Sequence, residues 1–475
     1  MTAPQKIPLA TKTLYGTGSV ASGIKDTAFN VFLLFFYTQV AGLSGALAGV
    51  AIFIALLLDA VSDPLVGYWS DRFKSAWGRR HPFIYFAAIP MGVSFYFLFN
   101  PPGDADQQFL FVWMLVFAIL VRFFMTFYAV PSSALIAEMT SNYDERTTLS
   151  GYRVFLGWVG GLTFATIGYI VFFAPSEAFE DGRLDPSAYQ DFALLGAGVI
   201  VVAIFLCAIG THHLIPRLKE AARQAAESEG LRKDFSNMLQ NRPFMILVGI
   251  ILVSATAFGF TEVIGLYMYT YFWGLSTTDL AGLTLVAFLG TLAAFILAPW
   301  LSRRFDKGPI AAFAMIILML TYPAFIGLRL LGALPENGDP NLLIVLGASA
   351  VINVFAAVTI SILFVSMIAD TIDQNELTTG QRQEAIYTSA YTFSLKATSG
   401  LGGLTAGIAL QLIQFPQNVE TAEVSQATLN TLGLTVAAVI VVFWFFAFLI
   451  LRAYPLTRQM HAEILNKLGA RSAAE

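Results

Sequence analysis

Long apolar runs, separated by short polar connections, follow one another along most of this chain. Twelve of them stand at residues 16–41, 43–69, 83–99, 109–138, 151–174, 191–215, 243–271, 278–301, 309–333, 342–370, 385–414 and 428–452. A membrane-spanning helix needs about 20 apolar residues, whereas the strands of a membrane barrel alternate in polarity over about ten. The pattern therefore predicts an all-α membrane protein with about twelve transmembrane helices.

One connection is much longer than the others. It is rich in Ala and Glu and carries several basic residues. We therefore predict an N-terminal six-helix half at residues 1–215, a cytoplasmic middle loop at 216–242, and a C-terminal six-helix half with a cytoplasmic tail at 243–475. Two halves that rock about a site near the bilayer midplane are the organisation expected of a secondary transporter.

The composition is typical of an integral membrane protein. Hydrophobic residues make up 57%, charged residues only 12%, and the mean hydropathy is +0.69, which excludes an ordinary soluble protein. The single cysteine, Cys207, excludes an internal disulfide and a thiolate metal cluster. No H-E-x-x-H, G-x-S-x-G or Walker lysine motif is present, so we expect neither an enzyme nor an ATP-driven pump.

The distribution of charge indicates the orientation and the partners. Most of the 27 Lys and Arg residues lie in the two terminal segments and in alternate loops. This asymmetry predicts both termini in the cytoplasm and a location in the inner membrane. The net charge of −4 gives no indication of a nucleic-acid partner. We expect a monomer in the lipid bilayer, with a small-molecule solute as its partner and no cofactor.

Two carboxylates lie one helical turn apart in the second apolar run. Each charge inside a span costs roughly 2.5–3.5 kcal/mol at a helix centre, so Asp59 and Asp63 need an explanation. Two adjacent anions in an apolar medium repel, and they must take up a proton or share a cation. Ser62 and Thr126 are candidate neutral oxygen ligands, and Pro64 loosens the backbone nearby. The alternative is a pair that a neighbouring Arg or Lys neutralises for purely structural reasons.

Other marked residues inside the spans leave two interpretations open. Lys25 and Asp26 stand side by side in the first run. Arg122 is a candidate ligand for an anion or a sugar hydroxyl, or it pairs with Asp26 or Glu262. Glu262 itself either lines a pathway or makes an interhelical hydrogen bond. The aromatic residues that could offer a stacking surface, or simply pack, are Tyr128, Trp158 and Tyr391.

A loop motif follows the second run. Gly67-Tyr-Trp-Ser-Asp71-Arg72 with Gly78-Arg79-Arg80, echoed by residues 302–308, resembles the loop motif of the major facilitator superfamily. Acids at the C-terminal end of a helix oppose its dipole, so we expect Asp370 and Asp373 to have cationic partners. We predict a salt-bridge gate on the cytoplasmic side, formed by Asp71, Arg79, Arg80, Arg146, Arg153, Asp370, Asp373, Glu376 and Arg382. Plain positive-inside topology is the alternative for Arg79 and Arg80.

Several segments together resemble the glycoside-pentoside-hexuronide cation symporters, the melibiose-carrier family. They are Lys25-Asp26, Asp59-x-x-x-Asp63-Pro64, residues 77–83, residues 370–376, residues 379–385 and Phe393-Ser-Leu-Lys396. The resemblance implies that Asp59 and Asp63 ligate the coupling ion, Na⁺ or H⁺. It also implies that Asp26 and Lys25 lie at the sugar site and that Lys396 connects the second half to both.

The fourth run departs from that family. When Pro131 is aligned with the family's proline, Ala129 replaces an aspartate and Ser133 replaces a tryptophan of the melibiose carriers. Losing a carboxylate that accepts hydroxyls and a stacking ring argues against melibiose itself. We expect a cation-coupled symporter of a sugar or glycoside that works by alternating access. The alternative is a symporter of a lysolipid or another amphiphile.

Overall fold

The computed structural model describes residues 7–140, 143–216, 238–380, 384–418 and 423–474. Within these ranges the regular structure is helical, with no strand. The helices are α1 Leu9–Val40, α2 Gly45–Arg72, α3 His81–Leu98, α4 Gln107–Met139, α5 Tyr143–Ile167, α6 Pro186–His212, α7 Arg242–Phe272, α8 Thr277–Ser302, α9 Lys307–Leu330, α10 Pro340–Thr379, α11 Glu384–Leu412, α12 Gln426–Leu451 and α13 Arg458–Ala474. The prediction of an all-α membrane fold is confirmed.

Among the described residues, 11 helices are long and apolar enough to cross a membrane. These are α1 to α10 and α12. Helix α11 occupies the remaining predicted span, 385–414, and carries Lys396. Helix α13 follows the last span as a polar tail helix.

Helix α1 begins earlier than predicted and is irregular. It starts at Leu9 rather than at residue 16, because Thr11 and Tyr15 are buried although the first turns are mixed in polarity. Two π-helical turns, Ala28–Phe32 and Phe36–Val40, interrupt its second half. Such turns are rare and are frequent at functional sites. The first of them begins just after Lys25 and Asp26.

Glycines allow α1 to pack closely on α5. A Cβ atom on Gly23 would lie 2.0 Å from the carbonyl oxygen of Gly157, and one on Gly160 would lie 2.8 Å from the Cα atom of Val20. Larger side chains at these positions would separate the two backbones. Small residues serve the same purpose at other helix interfaces in membranes. Gly157 and Gly160 of the fifth span therefore serve close helix packing.

The chain divides into two compact units. The first contains Met1–Glu227, Ser276–Ala281 and Gly403–Val424, and the second contains Ser228–Leu275, Gly282–Gly402 and Ser425–Glu475. Residues 217–237 of the predicted middle loop lie outside the described residues. In the first unit α2 and α3 each pack on α4, which places the acids of α2 beside the polar residues of α4.

Candidate ion and solute site

The hydroxyl of Thr126 joins the two carboxylates of α2. Thr126 Oγ1 lies 2.9 Å from Asp59 Oδ1 and 3.0 Å from Asp63 Oδ1. The hydroxyl has one proton, so the two carboxylates compete for it. Ser62 Oγ donates to the Asp59 carbonyl at 3.0 Å and lies 3.4 Å from Thr126 Oγ1. The structure thus brings together all four residues that the sequence proposed as oxygen ligands.

The helical backbone explains this grouping. A spacing of four residues places Asp59 and Asp63 on one face of α2, and Pro64 has no N–H to donate to the carbonyl four residues earlier. Asp59 is buried, whereas Asp63 is half-buried. Closely placed carboxylate and hydroxyl oxygens suit a hard cation. The same oxygens can also hold a proton.

Arg122 of α4 contacts the same pair. Its Nη1 lies 3.4 Å from Asp59 Oδ2, and both side chains are only 6% exposed. The guanidinium also lies over the ring of Phe29, 4.5 Å from the ring centroid. The sequence left Asp26 and Glu262 open as partners of Arg122, and the structure places Asp59 beside its guanidinium. Glu262 has an exposed side chain on α7.

Lys25 and Asp26 form an ion pair on α1. The Lys25 side chain is 13% exposed, whereas that of Asp26 is 59% exposed. The carboxylate of Asp26 is therefore open to a dissolved ligand although it has a cationic neighbour. The π-helical turn at Ala28–Phe32 begins two residues later.

The aromatic candidates lie in contrasting surroundings. Tyr128 is fully buried in the first unit, where its hydroxyl leaves no room for a Cβ atom on Gly18. This burial agrees with the packing interpretation, and the stacking role stays a prediction. Trp158 is 55% exposed on α5. Lys396 and Tyr391 are half-buried on α11.

Charged residues at the end of α2 form a cluster around a glutamate that the sequence did not single out. Glu138 Oε1 accepts from Arg79 Nη2 at 2.7 Å and from Arg80 Nε at 2.9 Å. Arg80 also pairs with Asp71 and donates to Ser70 Oγ at 2.6 Å. Glu138 lies in the last turn of α4. The helix-dipole argument that marked Asp370 also applies to Glu138.

The remaining predicted gate arginines bond to other groups of the first unit. Arg146 Nε donates to the Thr140 carbonyl at 2.8 Å. Arg153 Nη1 donates to the hydroxyl of Tyr15 at 3.2 Å. Arg382 lies outside the described residues.

A second acidic cluster lies at the end of α10 in the second unit. Lys307 Nζ lies 2.7 Å and 2.6 Å from the two carboxylate oxygens of Asp370. His461 Nε2, on the tail helix α13, lies 3.0 Å from Asp373 Oδ2 and 3.5 Å from Asp370 Oδ1. Burial and the charge of Asp370 raise the pKa of Tyr454 above its ordinary value. Asp370 thus has the cationic partner that was expected, while Glu376 is half-buried one turn further on.

Comparison with known proteins agrees with this architecture. The isoprimeverose transporter of Lactiplantibacillus pentosus is 25% identical over 448 residues, covering 92% of this chain and 89% of that protein. The putative glycoside/cation symporter YagG of Escherichia coli (strain K12) is 26% identical over 473 residues, covering 99% of this chain and 97% of that protein. The nucleoside transporter NupG shares the fold, with a TM-score of 0.62 at 15% identity over 94% of this chain and 99% of NupG.

The match to a family model extends over nearly the whole chain. That family is described as MFS/sugar transport protein, and its model matches residues 14–458. The motif resemblance to the glycoside-pentoside-hexuronide symporters leads to the same group. The protein is therefore a multi-pass membrane transporter of the MFS/sugar transport protein family, within the major facilitator superfamily.

Proposed function

We propose that the protein is a cation-coupled secondary active symporter of a sugar or glycoside. It works by alternating access in the inner membrane with both termini in the cytoplasm. The single observation that carries this proposal is the oxygen cluster of Asp59, Asp63 and Thr126, with one hydroxyl 2.9 Å and 3.0 Å from two carboxylates. Two carboxylates this close favour the uptake of a positive charge.

Binding of Na⁺ or H⁺ relieves the repulsion between Asp59 and Asp63. The membrane potential adds about 2.3 kcal/mol per charge for each 100 mV, which is sufficient to drive accumulation of a neutral solute. Asp26 is the candidate acceptor for solute hydroxyls, because its carboxylate is 59% exposed. The cation strengthens solute binding only if it binds more tightly to the conformation that binds the solute than to the other conformations.

The sugar assignment rests on similarity and on the residues of α1. One relative is named as an isoprimeverose transporter, and another as a putative glycoside/cation symporter. Lys25 and Asp26 supply a donor and an acceptor next to each other, as polyhydroxylated solutes require. On α4, Ala129 and Ser133 replace the acid and the ring of melibiose carriers, and Ser133 Oγ donates to the Val130 carbonyl at 2.8 Å. We therefore infer a glycoside other than melibiose.

A ligand screen followed by transport tests this function. The melting temperature of the purified protein is measured with sugars, glycosides and lysolipids, each with and without Na⁺. We expect a glycoside that stabilises the protein more strongly in the presence of the cation. That glycoside is then supplied to proteoliposomes under an imposed Na⁺ or H⁺ gradient.

Accumulation above the external concentration supports symport. Equilibration alone, with either gradient, would contradict it. A response to lysolipids and to no sugar would favour the amphiphile alternative. The location and orientation are tested separately, by cell fractionation and by labelling single cysteines introduced near the two termini from either side of the membrane.

A further inference from the structure

The cationic side chain of Arg122 contacts Asp59 of the proposed ion site. We propose that Arg122 is a tethered counter-cation that competes with Na⁺ for Asp59 and so sets the apparent Na⁺ affinity. This inference rests on the proposed function, in which Asp59 and Asp63 bind the coupling ion. It assigns Arg122 a role in setting the ion affinity rather than the solute-binding role that the sequence suggested.

The contact of Arg122 with Asp59 is longer than a strong ion pair. Arginine and carboxylate usually meet through two bonds of about 2.7–2.9 Å. Here one nitrogen, Nη1, lies 3.4 Å from one oxygen. The buried Nε of Arg122 has no hydrogen-bond partner within the described ranges. A permanent structural pair at 6% exposure should be fully bonded, because an incompletely paired buried charge is costly.

The two oxygens of Asp59 face different partners. Oδ1 lies against Thr126 on the side of Asp63, and Oδ2 lies against Arg122. A cation bound between the carboxylates therefore shares Asp59 with the guanidinium. Like charges at this distance repel strongly in an apolar medium, so each cation lowers the affinity for the other.

The guanidinium has other groups to hold it when Na⁺ enters. It lies over the ring of Phe29 at 4.5 Å, and Asp26 is within electrostatic range of it. Phe29 belongs to the π-helical turn that follows Asp26 on α1. Displacement of Arg122 from Asp59 would thus move positive charge towards the exposed acid of the proposed solute site. Occupation of the ion site and preparation of the solute site become linked through one side chain.

The test is a Na⁺ titration of thermal stability at constant ionic strength, with choline as the replacement cation. Arg122→Gln removes the charge, and Arg122→Met is a second charge-free variant that keeps an unbranched aliphatic side chain. If the guanidinium occupies Asp59 nine-tenths of the time, its removal lowers the half-saturating Na⁺ concentration about tenfold. We also expect a lower melting temperature without Na⁺ and a larger rise with it.

Two variants act as controls. Arg122→Lys retains the charge and should keep the half-saturating concentration within about threefold of wild type. Arg183→Gln removes another buried arginine of the same unit, paired with Asp181 at 2.7 Å. That variant should leave the Na⁺ titration unchanged.

An unchanged Na⁺ titration in both charge-free variants, with a normal response in wild type, would overturn the role of Arg122 and leave symport intact. A Na⁺ response that appears only after the charge is removed would support it strongly. No Na⁺ response in any variant would overturn this inference. The proposed symport would then be decided by the H⁺-gradient experiment, so the two failures are distinguishable.

Discussion

Two pairs of aspartates, each within one helical turn, meet different surroundings in this protein. Asp370 and Asp373 on α10 face Lys307 at 2.6 Å and His461 at 3.0 Å. Asp59 and Asp63 on α2 face a shared hydroxyl and one guanidinium at 3.4 Å. The first pair is compensated closely by fixed cationic or hydrogen-bonding groups. The guanidinium contact of the second pair is longer, at 3.4 Å, which suits an exchangeable cation.

The largest expected effect separates the two pairs directly. Asp63→Asn should abolish cation-dependent stabilisation and reduce accumulation of the solute to the equilibrium level, because it removes one of two anionic ligands. Asp59→Asn should do the same. The matched control is Asp373→Asn, which removes a half-buried aspartate of the second pair. Cation titration by thermal shift and proteoliposome uptake are the measurements. An equal loss in the Asp373 variant would contradict the distinction.

Lys396 provides the next test. It is half-buried on α11, and the family resemblance connects it to coupling. Lys396→Ala should lower the accumulation ratio to about one while exchange of solute across the membrane continues. Lys396→Arg, which keeps the charge, should retain part of the accumulation. A wild-type accumulation ratio in the alanine variant would remove Lys396 from the coupling mechanism.

The close compensation of Asp370 predicts a stability effect rather than a transport effect. Lys307→Met leaves a carboxylate of 10% exposure without its ammonium partner, which should cost about 1–3 kcal/mol. The loss appears as a lower melting temperature that Na⁺ does not restore. Adding Asp370→Asn to the Lys307 variant should recover part of it. Restoration by Na⁺ would show that this pair also accepts an exchangeable cation.

Local features of the ion site could be predicted from the sequence. The spacing of Asp59 and Asp63 places both on one face of a helix, independently of how the neighbouring helices pack. Ser62 lies between them, so its proximity also follows from the helix. The order of the helices follows from the runs of apolar residues.

Tertiary partners could not be predicted in the same way. Whether Arg122 meets Asp59, Asp26 or Glu262 depends on the rotation of α4 about its own axis, which apolar periodicity does not determine. His461 lies 88 residues from Asp373 and reaches it only because α13 packs on α10. Glu138 was missed because one acid near a helix end resembles an ordinary interfacial residue, although its two arginine partners are close in the sequence to Asp71.

The smallest expected effect concerns the tail helix. His461 is 22% exposed and joins α13 to the second aspartate pair. His461→Leu removes this contact and should cost about 1 kcal/mol, which opens the helix roughly fivefold more often. Trypsin cleavage at Lys467, an exposed site within α13, should accelerate by that factor. His461→Gln keeps a donor and His213→Leu changes an exposed histidine outside α13, so both should be cleaved at the wild-type rate. Faster cleavage in the His213 variant would mean that protease access does not report on this contact, and unchanged cleavage in His461→Leu would place the docking of α13 in its apolar packing instead.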